Sequence, residues 1–493
     1  MDETPAIDVP AICRAALAQE GDAIRFEGRW SGWADVRRIA QAVERALTAS
    51  AIAADAPVAF APRNTPGSLA AFLPLLAQRR RIVMAYPFQS AEALAKMVGT
   101  LQAAALIMDR GDFTPPVMAA MAKAGMAGIA LGDDGAELLA PGGGTCAPQP
   151  PAVVLLTSGT TGPPKHFPIG YGVIAGYIAQ GLAQAKADAM RPTSLLCFPL
   201  SNVTGLYSIA TSFLCGQKVV LLERFSVEGW RDYVVQYRPV AGGGPPASLS
   251  MILQRRIPRG DLASLRVFST GAAPVDAGVR ERFEETYGIP VVQTYGATEF
   301  GGPVCAMTPD LLRRYGKAKS ASVGRPFGGA QIRIRQSDGG SLADRGEVGL
   351  VEVVSPRMGT DWIATSDLGS IDADGFLFLH GRADGAIMRG GFKIVPETVE
   401  AAMLAHPDIA EIAVLGLPDE RLHELPVAAV VPAQGCAAPT PQMLDQYARA
   451  CLPATHVPAR WAIVDALPRT VSFKTDRAAV REICEAQAVS PGR

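Results

Sequence analysis

Residues 156–165 read Leu-Thr-Ser-Gly-Thr-Thr-Gly-Pro-Pro-Lys and directly follow the apolar run Ala152-Val153-Val154-Leu155. Such a run, bounded by turn residues, is typical of a buried strand, so the hydroxyl-rich and glycine-rich segment is predicted to begin where that strand ends. Glycines let several backbone N–H groups point into one concavity, and Ser and Thr hydroxyls add further donors. Lys165 adds a cation with no carboxylate beside it in the sequence. The segment therefore predicts a loop that binds a phosphate chain.

Two other kinds of loop are rich in glycine and hydroxyl side chains. The mononucleotide P-loop has the pattern G-x-x-x-x-G-K-[ST], which the residues from Gly159 to Lys165 do not fit. Pro163 and Pro164 also argue against a helix that starts directly at the lysine. An ordinary surface loop rich in Gly, Ser and Thr stays open, because short motifs recur by chance.

Composition limits the class of protein. With 493 residues the chain is too long for one hydrophobic core, and about two to four domains are expected. Apolar residues make up 48% and charged residues 19%, which predicts a folded α/β enzyme rich in loops. The formal net charge is −1, so no overall attraction to nucleic acid or to an anionic membrane is expected.

The cysteines and the N-terminus indicate the cellular compartment. The 8 cysteines are scattered singly, with no C-x-x-C pair and no His spacing suited to zinc, which predicts reduced thiols. The first residues, Met-Asp-Glu-Thr-Pro, lack the basic region and apolar core of a signal peptide. No apolar run approaches the ~18 residues of a membrane span. We therefore expect a cytoplasmic protein without a membrane span.

The hydrophobic pattern predicts an α/β architecture. Apolar residues recur at helical spacing in the segment Trp33–Leu47, and short apolar runs at 58–61 and 82–85 predict strands. Strand and helix patterns alternate in this way through residue 140, which predicts a parallel sheet covered by helices. Period-two patterns at 330–335 and 349–354 predict an antiparallel, small barrel-like subdomain.

Two further strands and a helix are predicted in the same way. Apolar runs predict strands over 194–200 and 289–292, and a helix is predicted from Pro441 to Cys451.

Four further segments follow the loop in a recognisable order: Gln293-Thr294-Tyr295-Gly296-Ala297-Thr298-Glu299, Thr365-Ser366-Asp367-Leu368-Gly369, Gly381-Arg382-Ala383-Asp384 and Pro468-Arg469-Thr470-Val471-Ser472-Phe473-Lys474. Together with the loop they resemble the adenylate-forming superfamily of acyl-CoA ligases, peptide-synthetase adenylation domains and firefly-type luciferases. The resemblance covers nearly the whole chain, and five ordered motifs are more specific than any one of them.

The resemblance implies a fold and a domain organisation. Residues 1–381 are expected to form a large N-terminal domain of parallel-sheet subdomains plus the small barrel-like subdomain. Residues 382–493 are expected to form a small mobile α+β C-terminal domain that acts as a lid. Asp384 matches the family's hinge, the residue whose backbone turns when the lid rotates.

In that family the nucleotide is ATP with Mg²⁺, and the resemblance implies which residues bind it. The phosphate-binding residues of the loop are Thr157, Ser158, Gly159, Thr160, Thr161, Gly162 and Lys165. The residues of the adenine-binding edge are Gly271, Ala272 and Ala273. A tight strand-to-helix turn would need small residues there as well. Tyr295 offers an aromatic face for adenine, Asp367 accepts from both ribose hydroxyls, and Arg382 adds a guanidinium.

The resemblance assigns catalytic roles to Lys474, Thr298 and Glu299. Thr298 offers a hydroxyl for phosphate, and Glu299 a hard oxygen ligand for Mg²⁺, although a lone Glu at a strand end also suits a helix N-terminus. Lys474 is expected between the substrate carboxylate and the α-phosphate, and a solvated lysine on a C-terminal loop is the alternative. The family usually has glycine just before this lysine, where this chain has Phe473.

The acid pocket is expected at Asn202, Gly205, Gly296 and Gly301. The family often has histidine where this chain has Asn202, so the pocket wall there carries a neutral amide that does not titrate. Asn202 satisfying backbone groups at a turn is an equally open interpretation. For coenzyme A, the resemblance implies contacts from Gly391 and Lys393 of the glycine-rich segment after the hinge.

Three functions were compared. The first is a carboxylic acid:CoA ligase acting on a fatty or aromatic acid, because residues 300–308 are apolar and uncharged and no carboxylate is placed near 242–250 to pair a substrate ammonium. The second is a stand-alone adenylation enzyme that loads the thiol of a separate carrier protein. The third is a nucleotide-binding protein that has lost catalysis, which Phe473 alone favours. A monomer or a homodimer is expected.

Overall fold

The apolar runs that predict strands pair side by side in the computed structural model, which describes residues 7–133, 135–142, 146–157, 165–187, 192–271, 275, 277–336, 340–389, 392–419, 421–433, 438–470 and 474–486. The chain divides into two compact units, residues 1–238 and residues 239–493. The first unit contains helices and strands in close alternation. In chain order they are α1 (Val9–Leu17), β1 (Asp22–Phe26), β2 (Arg29–Gly32), α2 (Trp33–Ala49), β3 (Val58–Ala61), α3 (Pro66–Ala77), β4 (Ile82–Met84), α4 (Ala91–Val98), β5 (Ala105–Asp109), α5 (Pro115–Lys123), β6 (Ala127–Gly132), β7 (Gly135–Ala140), β8 (Ala152–Thr157), β9 (Lys165–Gly170), α6 (Tyr171–Ala187), β10 (Ser194–Leu196), α7 (Val203–Thr211), β11 (Val219–Leu221) and α8 (Val227–Tyr237).

A largely parallel sheet forms the core of the first unit. Its strands lie in the order β7-β6-β5-β3-β4-β8-β9, in which the inner pairs are parallel and the two edge strands are antiparallel. A second sheet has the order β10-β11-β1-β2. Helix α2 buries Val36, Ile39, Val43 and Leu47, the residues spaced for one helical face. The predicted parallel sheet covered by helices is confirmed.

The second unit begins with a mixed α/β part and continues into antiparallel sheets. Its elements are β12 (Ala241–Gly243), α9 (Ala247–Gln254), β13 (Val267–Gly271), α10 (Ala277–Tyr287), β14 (Val291–Ala297), β15 (Gly302–Ala306), α11 (Pro309–Tyr315), β16 (Arg325–Pro326), β17 (Gln331–Arg335), β18 (Gly349–Val354), β19 (Ile363–Ile371), β20 (Leu377–Arg382), β21 (Ile387–Arg389), β22 (Phe392–Ile394), α12 (Pro396–Leu404), β23 (Ile409–Asp419), β24 (His423–Pro432), α13 (Pro441–Cys451), β25 (Trp461–Ile463) and α14 (Arg477–Ala486).

The described strands of the second unit form three sheets. One has the order β12-β13-β14-β15-β16, parallel up to β14 and antiparallel beyond it. The antiparallel meander β17-β18-β19-β20 is the sheet that the period-two patterns predict. The last sheet, β22-β21-β24-β23 with β25 beside β24, packs with α12, α13 and α14 as an α+β arrangement. The predicted α/β class is confirmed, while the boundary between residues 381 and 382 stays a prediction.

Two predicted strands have different ends in the structure. The strand expected over 194–200 stops at Leu196, because the buried Asn64 side chain satisfies the backbone beyond it: its amide donates to the Phe198 carbonyl at 2.9 Å and its Oδ1 accepts from Leu200 N–H at 3.0 Å. Strand β14 extends to Ala297, because it pairs with β15 along that length. In the described ranges, no helix has the length and apolar character needed to cross a membrane.

Candidate functional site

The two ends of the predicted phosphate loop are paired. Thr157 ends β8 and lies directly opposite Lys165, the first residue of the antiparallel strand β9. A strand starts at the lysine, which agrees with the prediction that no helix begins there. Lys165 is exposed and has no ion pair among the residues that the structure describes. The other predicted loop residues, Ser158, Gly159, Thr160, Thr161 and Gly162, lie outside the described residues.

Asn202 is the N-cap of α7. Its Oδ1 accepts a hydrogen bond from the Gly205 backbone N–H at 2.7 Å, which satisfies one of the donors that a helix start leaves unpaired. Gly205 is required by close packing, because a Cβ there would lie 2.0 Å from the Pro199 carbonyl oxygen. This geometry supports the backbone role of Asn202, and a role in the acid pocket stays a prediction.

Gly271 ends β13 at a point of close approach to β14. A Cβ at Gly271 would lie 2.3 Å from the Thr294 Oγ1, so a larger residue would require the Thr294 side chain or the strands to shift. The structure thus gives a packing reason for the small residue, in line with the alternative drawn from the sequence. Ala272 and Ala273 of the predicted adenine edge lie outside the described residues.

Tyr295 and Asp367 are joined by a short hydrogen bond between two sheets. The Tyr295 hydroxyl donates to Asp367 Oδ2 at 2.6 Å, and the Thr365 hydroxyl accepts from the Asp367 backbone N–H at 3.0 Å. Tyr295 is only 7% exposed, with its ring against Phe300. Burial and the charge of Asp367 raise the pKa of Tyr295 well above its ordinary value, so its hydroxyl remains a donor. Asp367 Oδ1 has no protein partner in the described part of the chain.

Thr298 and Glu299 begin a single 3-10 turn, Thr298–Phe300, directly after β14. Gly301 closes the turn with φ +65°, a conformation that favours glycine. A Cβ at Gly296 would lie 2.4 Å from the Pro303 Cα, so Gly296 allows β14 and β15 to approach each other. The strand end therefore projects Thr298 and Glu299, while Tyr295 and Gly296 lie inside the strand.

Arg382 and Asp384 form a bidentate ion pair at the end of β20. Arg382 Nε donates to Asp384 Oδ1 at 2.8 Å and Nη2 donates to Asp384 Oδ2 at 2.6 Å. The ion pair raises the pKa of Arg382 and lowers the pKa of Asp384. Strand register places Arg382 directly opposite Asp367 on β19. The predicted hinge residue and the predicted nucleotide-binding arginine are thus in direct contact.

Lys474 lies within electrostatic range of the other charged residues. Burial of its amine and the positive charge of Arg382 lower the pKa of Lys474, whereas Asp367 and Glu299 raise it. The same two carboxylates raise the pKa of Arg382. Asp367 lies directly opposite Arg382, and the charges of Asp367, Arg382 and Glu299 all act on Lys474. We call these four residues the charged cluster: Glu299, Asp367, Arg382 and Lys474.

Backbone hydrogen bonds join the segment that begins at Lys474 to residues 468–470. The Lys474 carbonyl accepts from Thr470 N–H at 2.7 Å, and Asp476 N–H donates to the Pro468 carbonyl at 2.8 Å. Arg469 pairs with Glu411 on β23, which ties residues 468–470 to the last sheet. Phe473 and Gly391 lie outside the described residues, and of Lys393 only the backbone is described, in β22 opposite Met388.

Glu299 suits a metal that is bound through a substrate. Its carboxylate has no hydrogen bond or ion pair with a described residue, and no described group of three His, Cys, Asp or Glu side chains is arranged to hold a metal ion. Mg²⁺ in nucleotide sites is usually bound by one or two carboxylates together with substrate phosphates, so a single carboxylate at this place fits that pattern.

Sequence reasoning missed two serines that support the site. The Ser366 hydroxyl accepts from Arg382 Nη2 at 2.6 Å and donates to Asp384 Oδ2 at 2.9 Å. The buried Ser355 hydroxyl donates to the Phe300 carbonyl at 2.6 Å and so fixes the turn that carries Glu299. Ser366 lies inside the quoted Thr365-Ser366-Asp367 motif, which was the available signal, whereas no sequence motif marks Ser355.

Comparisons with known proteins show the family of the chain. The family model described as AMP-binding enzyme matches residues 13–360, and the model of the AMP-binding enzyme C-terminal domain matches residues 398–474. The chain is 32% identical over 356 residues to indoleacetate–CoA ligase of Aromatoleum aromaticum, covering 68% of each chain. It is 30% identical over 404 residues to 4-coumarate–CoA ligase-like 5 of Oryza sativa subsp. japonica, covering 77% of this chain and 72% of that one.

Among solved structures, the amide bond synthetase McbA from Marinactinospora thermotolerans superimposes with a TM-score of 0.74 at 26% identity, covering 96% of this chain and 99% of that one. The identification drawn from the five motifs is thereby confirmed. The chain belongs to the family of AMP-binding enzymes.

Proposed function

We propose that the chain is an AMP-forming carboxylic acid:CoA ligase that uses ATP and works through an acyl-adenylate. The observation that carries the proposal is the charged cluster, in which Asp367 lies opposite Arg382 and the charges of both act on Lys474. A cation beside groups suited to a ribose and a phosphate is what the joining of a carboxylate to a nucleotide requires. Membership of the AMP-binding enzyme family gives the same reaction class.

The first step joins the acid to AMP. A carboxylate oxygen of the acid attacks the α-phosphorus of ATP, the bond from that phosphorus to the bridging oxygen of the β-phosphate breaks, and pyrophosphate leaves with the electron pair. The product is a mixed anhydride whose acyl carbon is activated. Positioning and charge stabilisation supply the catalysis, because phosphoryl-type transfer needs no protein nucleophile.

Lys474 is assigned the electrostatic part of that step. Its ammonium would stabilise the negative charge that builds up between the carboxylate and the α-phosphate. Loss of a group with this role typically costs about 10²- to 10³-fold in rate. Because its pKa is lowered, Lys474 would lose its charge at a lower pH than an ordinary lysine, and adenylation would decline there.

Several residues of the quoted motifs are assigned to the nucleotide. Asp367 has one carboxylate oxygen available for the ribose hydroxyls, and Arg382 Nη1 has no protein partner in the described residues. Lys165 is an exposed cation at the end of the phosphate loop. Glu299 would hold Mg²⁺, which neutralises phosphate charge when it is bound, and the Thr298 hydroxyl would contact phosphate.

In the second step the thiol of coenzyme A attacks the acyl carbon. The carbon–sulfur bond forms, AMP leaves with the bridging oxygen, and the thiol proton passes to solvent. A turn of the backbone at Asp384 would move Lys474 away and bring Gly391 and Lys393 to the coenzyme, with residues 382–493 acting as the lid. This rotation and these contacts follow from the family resemblance.

We propose an aromatic monocarboxylic acid as the substrate. The two named relatives take their names from indoleacetate and 4-coumarate, both aromatic acids. The apolar residues Phe300, Val304 and Cys305 are buried in the core, so they support the proposal only by keeping charge out of this region. The pocket residues predicted from the sequence, Asn202, Gly296 and Gly301, have no charged side chain, which suits an uncharged ring.

The acceptor has one competing candidate with support. McbA is named an amide bond synthetase and is 26% identical to this chain, so an amine is a second candidate to attack the acyl-adenylate proposed here. A carrier-protein thiol is the other acceptor considered from the sequence. The first step is the same for all three, and the acceptor is decided only in the second.

The test is pyrophosphate release with ATP, Mg²⁺ and a panel of aryl, fatty and amino acids. Each acid is assayed alone, with coenzyme A and with a simple primary amine, in the native chain and in Lys474→Ala. We expect release that requires an aromatic acid, rises with coenzyme A and falls about 10²- to 10³-fold in the variant.

Other outcomes separate the alternatives. Release that rises with the amine but not with coenzyme A would support an amide synthetase, and release indifferent to both would point to a carrier protein. No release with any acid, from a chain that binds AMP, would make the catalytically impaired alternative correct.

A further inference from the structure

Ser366 closes a ring of hydrogen bonds around the Arg382 guanidinium. Its hydroxyl accepts from Arg382 Nη2 at 2.6 Å and donates to Asp384 Oδ2 at 2.9 Å, and Asp384 accepts from Arg382 at both carboxylate oxygens. We propose that Ser366, together with the Asp384 carboxylate, is a positioning residue that holds Arg382 in one orientation toward the nucleotide. The inference rests on the proposed function and deepens its account of nucleotide binding.

The number of N–H and O–H protons shows which groups of the ring donate and which accept. The guanidinium has five N–H groups. The one on Nε and the two on Nη2 are engaged by Asp384 and Ser366. The single hydroxyl proton of Ser366 goes to Asp384, so its lone pairs are free to accept from the arginine. The two N–H groups of Nη1 have no partner in the described residues, which leaves one edge of the guanidinium for a ligand.

The Nη1 edge, which has no partner in the described residues, is part of a residue of the charged cluster. Asp367 lies directly opposite Arg382 in the β19–β20 register, and the charges of Asp367 and Glu299 act on Arg382. Arg382 also acts on the Lys474 amine. A ligand oxygen that meets Nη1 would therefore be near the groups assigned to the ribose and to the α-phosphate.

Positioning matters here because Arg382 is an exposed side chain. Its side chain is 52% exposed, and that of Asp384 43% exposed. An exposed arginine without partners samples many rotamers, and a ligand that binds it must then order it. Ser366 comes from the neighbouring strand β19, so it ties the guanidinium to the sheet, whereas Asp384 lies only two residues along the same chain segment.

The test is a double-mutant cycle on AMP affinity, measured by calorimetry. Ser366→Ala is expected to raise the Kd for AMP about three- to tenfold, because one charge-assisted hydrogen bond to the guanidinium is lost. Ser366→Thr, which keeps the hydroxyl on a strand, is expected to restore most of the affinity. In the Arg382→Ala background, Ser366→Ala is expected to have no further effect, because the group that it positions is gone.

Ser370→Ala is the matched control. Ser370 also lies on β19, and its hydroxyl is 2.9 Å from His380 Nε2 on β20, so the variant removes a hydroxyl contact between the same two strands away from Arg382. Its AMP affinity is expected to equal that of the native chain. Asp384→Asn is carried through the same cycle, so that the proposal is tested even if Ser366→Ala does not fold.

The outcomes separate this inference from the proposed function. Failure of the native chain to bind AMP would overturn both. Native binding with an effect of Ser366→Ala that persists in the Arg382→Ala background would overturn the positioning role alone, as would an effect equal to that of Ser370→Ala. An effect of Asp384→Asn on AMP affinity that persists in the Arg382→Ala background would also overturn the positioning role.

Discussion

Replacing Tyr295 by Phe removes one atom that joins two parts of the site. The hydroxyl of Tyr295 donates to Asp367 Oδ2 at 2.6 Å, across the gap between β14 and β19. The ring itself packs against Phe300 in a buried cluster that a phenylalanine would fill equally well. Tyr295→Phe therefore tests the hydrogen bond and leaves the packing in place.

The size of the effect follows from the partner and its exposure. A hydrogen bond to a charged group contributes about 1.5–3 kcal/mol, but water can replace part of it because Asp367 is only half-buried. We expect a loss of about 1 kcal/mol, which is roughly a fivefold increase in the Kd for AMP. The raised pKa of Tyr295 keeps its hydroxyl protonated, so the ratio is expected to stay constant between about pH 6 and about pH 9.

The assay is calorimetric titration with AMP, with Tyr287→Phe as the control. Tyr287 is also buried, and its hydroxyl donates to the Ile252 carbonyl at 3.4 Å, away from the charged cluster. That variant is expected to bind AMP as the native chain does. Equal AMP affinity in Tyr295→Phe and the native chain, or an equal loss in both variants, would refute the reasoning.

Three further predictions concern the cap, a buried acid and the contact of α12 with β20. Asn202→Ala is expected to lower the free energy of unfolding by about 1 kcal/mol in urea titrations, because α7 loses its cap. Asn202→Asp keeps the cap, so a raised KM for the acid in that variant would show that the amide lines the pocket. Burial raises the pKa of Glu400 to about 7, so ionising it costs stability and the free energy of unfolding is expected to fall as pH rises from about 4.5 to about 7. That fall is at most about 3 kcal/mol, and Glu400→Gln is expected to remove it in urea titrations at about pH 5 and about pH 8. The same pH dependence of the free energy of unfolding in the variant and the native chain would contradict this prediction. Gly381→Ala places a Cβ at φ +116°, 2.8 Å from Glu397 Oε2 and Val395 Cγ1, so it is expected to displace α12 from β20. The variant is expected to slow single-turnover adenylation about 5- to 50-fold. A smaller effect is expected on thioester formation when acyl-AMP is supplied directly.

Elements with a strong local pattern were predictable from the sequence. The helix Pro441–Cys451 and the strand Val58–Ala61 have the predicted bounds, and the helix from Trp33 extends only two residues beyond its predicted end. Their ends are set by local features, such as the Thr440 side chain that caps α13. Tertiary contacts are not needed to explain where they begin and end.

Elements whose ends depend on distant partners were not predictable. Strand β14 extends through Tyr295 to Ala297 because β15, which follows it after a turn, pairs with that part. The strand from Ser194 stops early because the Asn64 side chain, more than 100 residues away, satisfies the backbone that follows. The hydrophobic pattern of a sequence predicts neither the register in which two strands pair nor the hydrogen bonds of a side chain far away in the chain.

Some residues of the site were likewise predictable from the sequence, and others were not. The motifs supplied Asp367, Arg382 and Lys474, and the structure brings their charges together within the second unit. The role of Ser366 depends on the β19–β20 register, which places it beside residues 16 and 18 positions later in the chain. The family pattern predicts a hinge at Asp384, whereas the hydrogen bonds from Arg382 to its carboxylate are found only in the structure.

The central claim is that a carboxylate oxygen of the substrate becomes bonded to the α-phosphorus of ATP. The most direct test supplies an aromatic acid with both carboxylate oxygens labelled with ¹⁸O, together with unlabelled ATP, Mg²⁺ and coenzyme A, and measures the masses of the nucleotide and phosphate products. The account predicts AMP that contains one ¹⁸O atom, unlabelled pyrophosphate and a thioester that keeps the other labelled oxygen. Unlabelled AMP, or ADP with the label in inorganic phosphate, would contradict it.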